Sequence, residues 1–437
     1  MIVRADTLPV NQNVLNLKRL IWLYFWLLIF EGALRKWFVP QLSTPLLVVR
    51  DPVVLLLYYF ALREGMFPKD LLTKCTVCLA YLFAIGGLFE AVSGSANPLP
   101  VMLFGLRTDF LHLPLIFLIP KVLEEGDIRR IGWWFLVLAA PMALLMVLQF
   151  QAPPTDFLNI GVGEGTVQLG SALGKIRPPG TFSYISGPVA FYGAVSAFLF
   201  YGFFQKGIYS TGLLFLAGGG LLSALAVSGS RSALGAVISV AIACGIGLLV
   251  QPRMLGQSVK PLLVFGALLA VLGSTQFFND GLSVTNTRLE AASANENTAE
   301  RFLSGFFTPL TYVSDIPLLG RGLGFGTNAG AAITGGGQFS FGEGEWARVL
   351  NESGPVLGLL YLLLRMMIAA HLGWMSVRAV FSSGILALAL FGACALNVVD
   401  GQFGQPTTLG FTVFGAGLCL AASRVLESAT NESPAGQ

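Results

Sequence analysis

Long apolar runs alternate with short polar segments over most of the 437-residue chain. A helix needs about 20 mainly apolar residues to cross a bilayer, and runs of that length predict about twelve helices, within a range of roughly ten to fourteen. We therefore expect an all-α, polytopic transmembrane bundle that forms a single integral membrane domain over residues 1–437. The expected helices lie at 17–38, 45–62, 71–92, 108–122, 131–150, 183–204, 211–229, 232–250, 261–278, 354–377, 380–398 and 406–425.

Three polar segments lie between or after these runs. Residues 151–182 and 279–353 are predicted to be outer loops, and the segment "NTRLEAASANENTAERF" predicts short helices in the second one. The high glycine content of the loop 279–353 indicates either a mobile segment or a tightly wrapped backbone. Residues 426–437 are expected to be a disordered cytoplasmic tail. The helix around Arg107 is short, so we expect it to be broken or to cross only part of the bilayer.

The composition agrees with a membrane protein. Only 11% of the residues are charged and 54% are hydrophobic, whereas a soluble domain carries roughly 25% charged residues. The net charge of +3 is too small to indicate nucleic acid as a partner. Lys and Arg in the short loops indicate cytoplasmic N- and C-termini, with both long loops outside. Without a metal-binding motif in the chain, we expect neither a metal nor a cofactor.

Arg231 is one of several arginines that this orientation leaves at the outer face. It lies in "VSGSRSALG", where Ser228 and Ser230 separate two apolar runs. Small neighbours would let a ligand approach the guanidinium, whose five donors suit a phosphate or diphosphate. The alternative is an arginine at a helix end that extends its charge to the membrane surface.

Arg177 lies in "GKIRPPGTFSYISGPVAF", just before a predicted helix, with Thr181 in the same segment. Ser183 or Ser186 is expected to cap that helix. The N–H groups and the dipole of the helix would add to an anion site beside Arg177. The alternative is a solvated loop charge.

Acidic residues cluster in "FGEGEWARVLNESGPVLG". Glu345 and Glu352 are seven residues apart and share a helix face, with Arg348 between them, and Glu343 lies just before. One interpretation is a salt-bridged helix entrance. The other is that a carboxylate acts as general base for an acceptor hydroxyl.

The segment "LFGLRTDFLHLPLIF" brings Arg107, Asp109 and His112 close together in sequence. We expect a polar network that positions Arg107. A metal site is the alternative, but three ligands of suitable geometry are not evident.

The order and spacing of several segments resemble the bacterial O-antigen ligase and polymerase superfamily. "RPPGTFSYISGPVAFY" is similar to its R-x-x-G-T-F segment, and "LAVSGSRSALGA" to its S-x-S-R segment between two helices. "GRGLGFGTN" and "EWARVLNESGPVLGLLYL" resemble its large outer loop and the next helix. "FEGALRKWFVP", "VVRDPVVLLLYYF" and "GLRTDFLHLPLIF" resemble a polymerase-type subfamily of exopolysaccharide clusters.

The resemblance implies a C-type membrane glycosyltransferase fold and metal-independent, inverting transfer at the outer, periplasmic face of the bacterial inner membrane. A glycan would move from an undecaprenyl-diphosphate carrier to a glycan acceptor, as in the polymerisation of cell-envelope polysaccharides. Arg177 and Arg231 would hold the diphosphate, with Arg348 and Arg107 as further candidates. Partners would be the donor, the acceptor and the lipid bilayer; a chain-length regulator and export machinery are further candidates.

Ligases of this superfamily place a histidine in the large loop, near the helix that holds the glutamate. This chain has no histidine there, and Glu343 or Glu345 lies close to that position. The difference favours a polymerase over a ligase and leaves Glu343, Glu345 and Glu352 as alternative bases. The rivals of other classes are a flippase or transporter for a lipid-linked glycan, whose outer arginines would gather an anion, and a non-catalytic scaffold.

Overall fold

The computed structural model describes most of the chain and is helical throughout. The described residues contain no β-strand; 3-10 turns, π segments and one isolated bridge between Gly170 and Ile176 complete the structure. The described residues are 12–92, 98–162, 168, 170, 173–205, 207–251, 270, 273–295, 298–327, 330, 344–382 and 384–431.

Fourteen α-helices are present in this part of the chain. Two of them continue directly into π-helical segments, Leu34–Phe38 and Arg107–Leu111. The helices are α1 (Gln12–Ala33), α2 (Asp51–Arg63), α3 (Leu71–Val92), α4 (Leu99–Leu106), α5 (Leu115–Val122), α6 (Glu125–Gln151), α7 (Ser186–Phe204), α8 (Thr211–Ser228), α9 (Arg231–Val250), α10 (Gln276–Asn295), α11 (Thr298–Thr311), α12 (Glu345–Ser382), α13 (Leu386–Asp400) and α14 (Pro406–Asn431).

Several of these helices are long and apolar enough to cross a membrane. Eight spans qualify within the described residues, or nine if one bent pair is counted as a span. The prediction of an all-α, multi-pass bundle is therefore confirmed, while the predicted number of about twelve is not. The expected helix at 261–278 falls largely on residues outside the described part.

The predicted short helix around Arg107 is broken. The segments Leu99–Leu111 and Leu115–Val122 are bent by 43° with respect to each other. Pro114 lies at the break, where its missing N–H and its ring do not allow a regular helix to continue. The break exposes the polar residues of the π segment to neighbouring helices.

Helix α12 begins earlier than the predicted boundary at 354. It starts at Glu345, and Gly354 interrupts it with φ 78° and ψ 172°. Pro355 begins the second part, in a position where a helix needs no N–H donor. The apolar run therefore predicted the second part, and the helical spacing of Glu345, Arg348 and Glu352 predicted the first part, which carries the charged residues.

The predicted polar segments contain helices, as expected for 279–353 but not for the predicted tail. Helices α10 and α11 lie in the predicted loop 279–353, and α14 continues to Asn431, past the expected start of the tail at 426. Residues 432–437 lie outside the described part.

Helices α7 and α14 occupy the centre of the bundle, since 89% of each span is buried. Helix α13 packs beside them and runs antiparallel to α9. Ser239 Oγ donates to the Gly392 carbonyl at 2.8 Å, and a Cβ on Gly247 would lie 2.9 Å from Ile385. The beginning of α9 and the end of α13 therefore lie at the same end of the bundle.

Candidate functional site

The end of α1 contacts the segment that follows Arg177. A Cβ on Gly32 would lie 2.6 Å from backbone atoms of Thr181, Phe182 and Ser183, so glycine allows the two backbones to cross. The Thr181 hydroxyl donates to the Ile29 carbonyl at 2.7 Å. Thr181 thus fixes the segment that contains Arg177 against α1.

Gly180 is held from two sides in the same segment. The Lys36 ammonium donates to its carbonyl at 2.7 Å, and Gln149 donates to that carbonyl at 3.2 Å. The Gly180 N–H in turn donates to the Gln149 side chain at 2.8 Å. Lys36 and Gln149 are both buried. Sequence reasoning missed both residues, although a lysine beside an apolar run is a signal that it needs a partner.

The helix caps expected from sequence are wrong. Ile185 is the N-cap of α7, and no side chain caps this helix. Ser183 Oγ accepts a hydrogen bond from Arg35 at 3.2 Å, whereas Ser186 Oγ donates to Gln405 at 2.9 Å. The serines therefore connect the start of α7 to the π segment that follows α1 and to the segment before α14.

Arg177 and Arg231 lie close enough to influence each other. Burial lowers the pKa of Arg177, and the positive charge of Arg231 lowers this pKa further. Within the described residues neither arginine forms an ion pair with a carboxylate, and Arg177 Nε is buried without a hydrogen-bond partner. Both residues are partly exposed. The pair can therefore accept an anion with several oxygen atoms.

A short turn places Arg231 at the start of α9. Helix α8 ends at Ser228, and Gly229 adopts the left-handed conformation, with φ 54°. Ser228 Oγ donates to the Leu225 carbonyl at 3.0 Å and accepts from the Ser230 N–H at 3.3 Å. Ser230 is the N-cap of α9 but makes no capping bond with its side chain. The helix dipole of α9 therefore adds positive potential beside Arg231.

A buried cluster of charges lies at the start of α12. Arg348 donates to Glu345 at 2.9 and 3.0 Å, to Glu352 at 2.7 Å and to Asp109 at 2.6 Å. All four residues are at most 5% exposed. The predicted shared face, with Arg348 between Glu345 and Glu352, is confirmed as geometry. Glu343 lies outside the described residues.

Arg365 is a second cation of this cluster that sequence reasoning missed. It donates to Glu345 at 2.7 Å and to the carbonyls of Val398 and Gly401 at 2.8 and 2.9 Å. Its guanidinium also lies 3.8 Å from the ring centre of Phe403. A single arginine within the apolar run "YLLLRMMIAA" was the available signal, because such a charge needs partners.

Glu352 attaches the glycine-rich segment to α12. Its carboxylate accepts from the N–H groups of Gly324 and Gly326 at 3.1 and 2.8 Å. A Cβ on Gly105 of α4 would lie 2.6 Å from the Gly324 nitrogen, so the segment also crosses α4 closely. Of the two alternatives from sequence, the described part of this segment is the tightly wrapped backbone.

The predicted group of Arg107, Asp109 and His112 is divided in the structure. Arg107 forms a two-point ion pair with Asp51, both distances being 2.7 Å, and His112 contacts the same carboxylate at 3.0 Å. Asp109 instead faces Arg348. Asp51, not Asp109, therefore positions Arg107, because Arg107 and Asp109, two residues apart in the π segment, face different neighbours.

The described residues contain no group of three His, Cys, Asp or Glu side chains that could hold a metal ion. Comparison of the chain with protein-family models and with curated proteins finds no match.

Proposed function

We propose that the protein is a metal-independent, inverting glycosyltransferase. It polymerises undecaprenyl-diphosphate-linked oligosaccharide repeat units of a cell-surface polysaccharide or exopolysaccharide, at the outer face of the bacterial inner membrane. The observation that carries the proposal is the pair Arg177 and Arg231, two neighbouring guanidinium groups without a carboxylate partner in the described residues.

The chemistry of the donor fits this pair. When the glycosidic bond to a lipid diphosphate breaks, negative charge develops on the departing diphosphate. Preorganised cations at that position lower the barrier more than they stabilise the bound substrate. Arginine suits this role because its planar donors match phosphate oxygens and its charge does not depend on pH.

The other two predicted anion ligands already have partners. Asp51 balances the charge of Arg107, and three carboxylates surround Arg348. In this proposal Arg107 and Arg348 support the bundle around the site, and Arg177 and Arg231 contact the diphosphate. The fixed Arg177 segment and the start of α9 provide the rigid elements that such a contact needs.

The proposal is tested with purified protein in vesicles that contain an undecaprenyl-diphosphate-linked repeat unit and a metal chelator. Chain growth and release of the lipid diphosphate are followed by gel and mass spectrometry. We expect a ladder of products from the wild-type protein and a loss of roughly 100-fold or more in Arg177→Ala and Arg231→Ala.

Arg63→Ala is the matched control, because Arg63 is exposed at the end of α2. It should keep the wild-type rate. Normal polymer from both Arg177→Ala and Arg231→Ala would refute the proposal. Movement of the lipid across the membrane without transfer would favour a flippase instead.

A further inference from the structure

One carboxylate lies at the end of the bundle where α9 begins with Arg231, and it does not belong to the buried cluster around Arg348. Asp400 is the last residue of α13 and is partly exposed. Its Oδ1 is buried and has no hydrogen-bond partner among the described residues. An unpaired carboxylate oxygen is costly, and groups of this kind concentrate at functional sites.

The helix register places Asp400 level with Arg231. Ser239 of α9 is bonded to Gly392 of α13, and the two helices run antiparallel. Moving along α9 from Ser239 to its first residue, Arg231, covers the same number of residues as moving along α13 from Gly392 to Asp400. The unpaired carboxylate and the diphosphate-binding arginine therefore lie at the same level of adjacent helices.

Rigid contacts fix the backbone around Asp400. Arg365 donates to carbonyls on both sides of it, at Val398 and Gly401, and Trp346 donates to the Val399 carbonyl at 3.3 Å. A carboxylate at the C-terminal end of a helix also experiences the negative end of the dipole. The backbone that carries this side chain is thus held in place, and the helix dipole increases the affinity of the carboxylate for a proton.

Charged groups near the end of α13 both raise and lower the pKa of Asp400. Burial raises the pKa of Asp400 to about 6; Arg365 lowers it, and the charge of Glu345 raises it. Arg231 faces the same end from α9. A base works best when its pKa lies near the working pH, and a carboxylate of this strength remains ionised at neutral pH.

The carboxylates that the sequence favoured have their oxygens occupied. Glu345 accepts from Arg348 and Arg365, and Glu352 accepts from Arg348 and from two backbone N–H groups. Both side chains are 1% exposed. A base has to reach the proton that it accepts, and burial keeps an acceptor sugar away from both carboxylates.

We propose that Asp400 is the general base of the transfer, an inference that rests on the proposed function. The acceptor hydroxyl gives its proton to the Asp400 carboxylate while its oxygen forms a bond to the anomeric carbon. The bond between that carbon and the diphosphate oxygen breaks, and the lipid diphosphate leaves with the electron pair beside Arg177 and Arg231. One bond forms and one breaks at the anomeric carbon, with inversion.

The test compares kcat, KM and pH profiles in the vesicle assay. We expect Asp400→Asn to lower kcat roughly 100- to 10,000-fold, with the donor KM changed by less than about threefold. The wild-type rate should rise with pH through about 6, and the rise should disappear in the variant. Asp315→Asn, the same change at an exposed residue, should behave as wild type.

A second variant covers the case that Asp400→Asn does not fold. In Asp400→Ser, added formate can take the place of the missing carboxylate. We expect formate to raise the rate of this variant at least about tenfold over its rate without formate. No restoration in a folded Asp400→Ser protein would overturn the assignment.

The outcomes separate the two proposals. If Arg231→Ala is inactive while Asp400→Asn has the wild-type kcat, the transferase stands and Asp400 is not its base. If the wild-type protein makes no product, both proposals fail.

Discussion

Arg348 carries one positive charge among three buried carboxylates, Asp109, Glu345 and Glu352. Arg365 supplies the only other guanidinium bonded to them in the described residues. Such a cluster depends on each partner, because removing one member leaves the others as unpaired buried charges. The sequence predicted the spacing of Glu345, Arg348 and Glu352. Asp109 and Arg365 could not be assigned to them because the contacts join distant segments.

Arg348→Met should therefore destabilise the protein by about 3–5 kcal/mol, because three carboxylates lose a common partner. Arg348→Lys keeps the charge but loses the two-point bond to Glu345, so its effect should be smaller. Unfolding of the detergent-solubilised protein, followed by circular dichroism, measures the difference.

Arg129→Ala is the control: this exposed arginine forms an ion pair with Glu125, and its loss should cost less than about 1 kcal/mol. Equal stability of Arg348→Met and Arg129→Ala would contradict this account.

Arg177 and Arg231 show what the sequence can predict at a site. Both can be identified from the sequence because they lie at helix ends on the side where basic residues are unusual. The structure adds that they approach each other. Asp400 has no comparable signal in the sequence, since its position level with Arg231 depends on the packing of α9 against α13.

At the level of elements, close backbone crossings determine where the functional segments lie. Gly32 of α1 contacts the Arg177 segment, and Gly105 of α4 contacts the glycine-rich segment at Gly324. Hydrophobic periodicity predicted most of the helices involved. It could not predict these crossings, because a glycine in an apolar run looks the same whether it touches a backbone or faces lipid.

Gly32→Ala should displace the Arg177 segment, since the new methyl group would lie 2.6 Å from three backbone atoms. We expect a loss of transfer activity of roughly tenfold or more, because a displacement of about 1 Å at a binding group is enough for a large effect. The vesicle assay measures the rate. Gly235→Ala in α9 is the matched control: nothing lies within 4 Å of the added Cβ, and alanine favours a helix by about 1 kcal/mol. Wild-type activity of Gly32→Ala would show that the segment tolerates the shift.

For the whole molecule, the length and apolar character of the runs predicted an all-helical membrane bundle, since the bilayer fixes the length of a span. The number of spans was harder to predict. The run near Arg107 is broken at Pro114, and α13 is a shorter helix of 15 residues packed between α7, α9, α12 and α14. Hydropathy alone cannot distinguish such a buried helix from a span, because both exclude water.

The two ends of the bundle carry different charged residues, and this difference predicts how the protein is oriented in the membrane. At one end, Lys18 pairs with Glu124 and Asp127 at 3.0 and 2.9 Å, and Tyr209, just before α8, donates to the Arg129 carbonyl at 3.1 Å. At the other end, α8 meets α9 beside Arg231. The bias of basic loops toward the cytoplasm places the first end inside, so the site should face outward.

Single cysteines test this orientation in a variant in which the five native cysteines are replaced. Ser232 and Thr211 are exposed and lie at opposite ends of the α8–α9 pair. A membrane-impermeant maleimide should label Ser232→Cys in intact spheroplasts and Thr211→Cys only after the membrane is permeabilised. The reverse pattern would place the arginine pair in the cytoplasm, where a polymerase acting at the outer face could not use it.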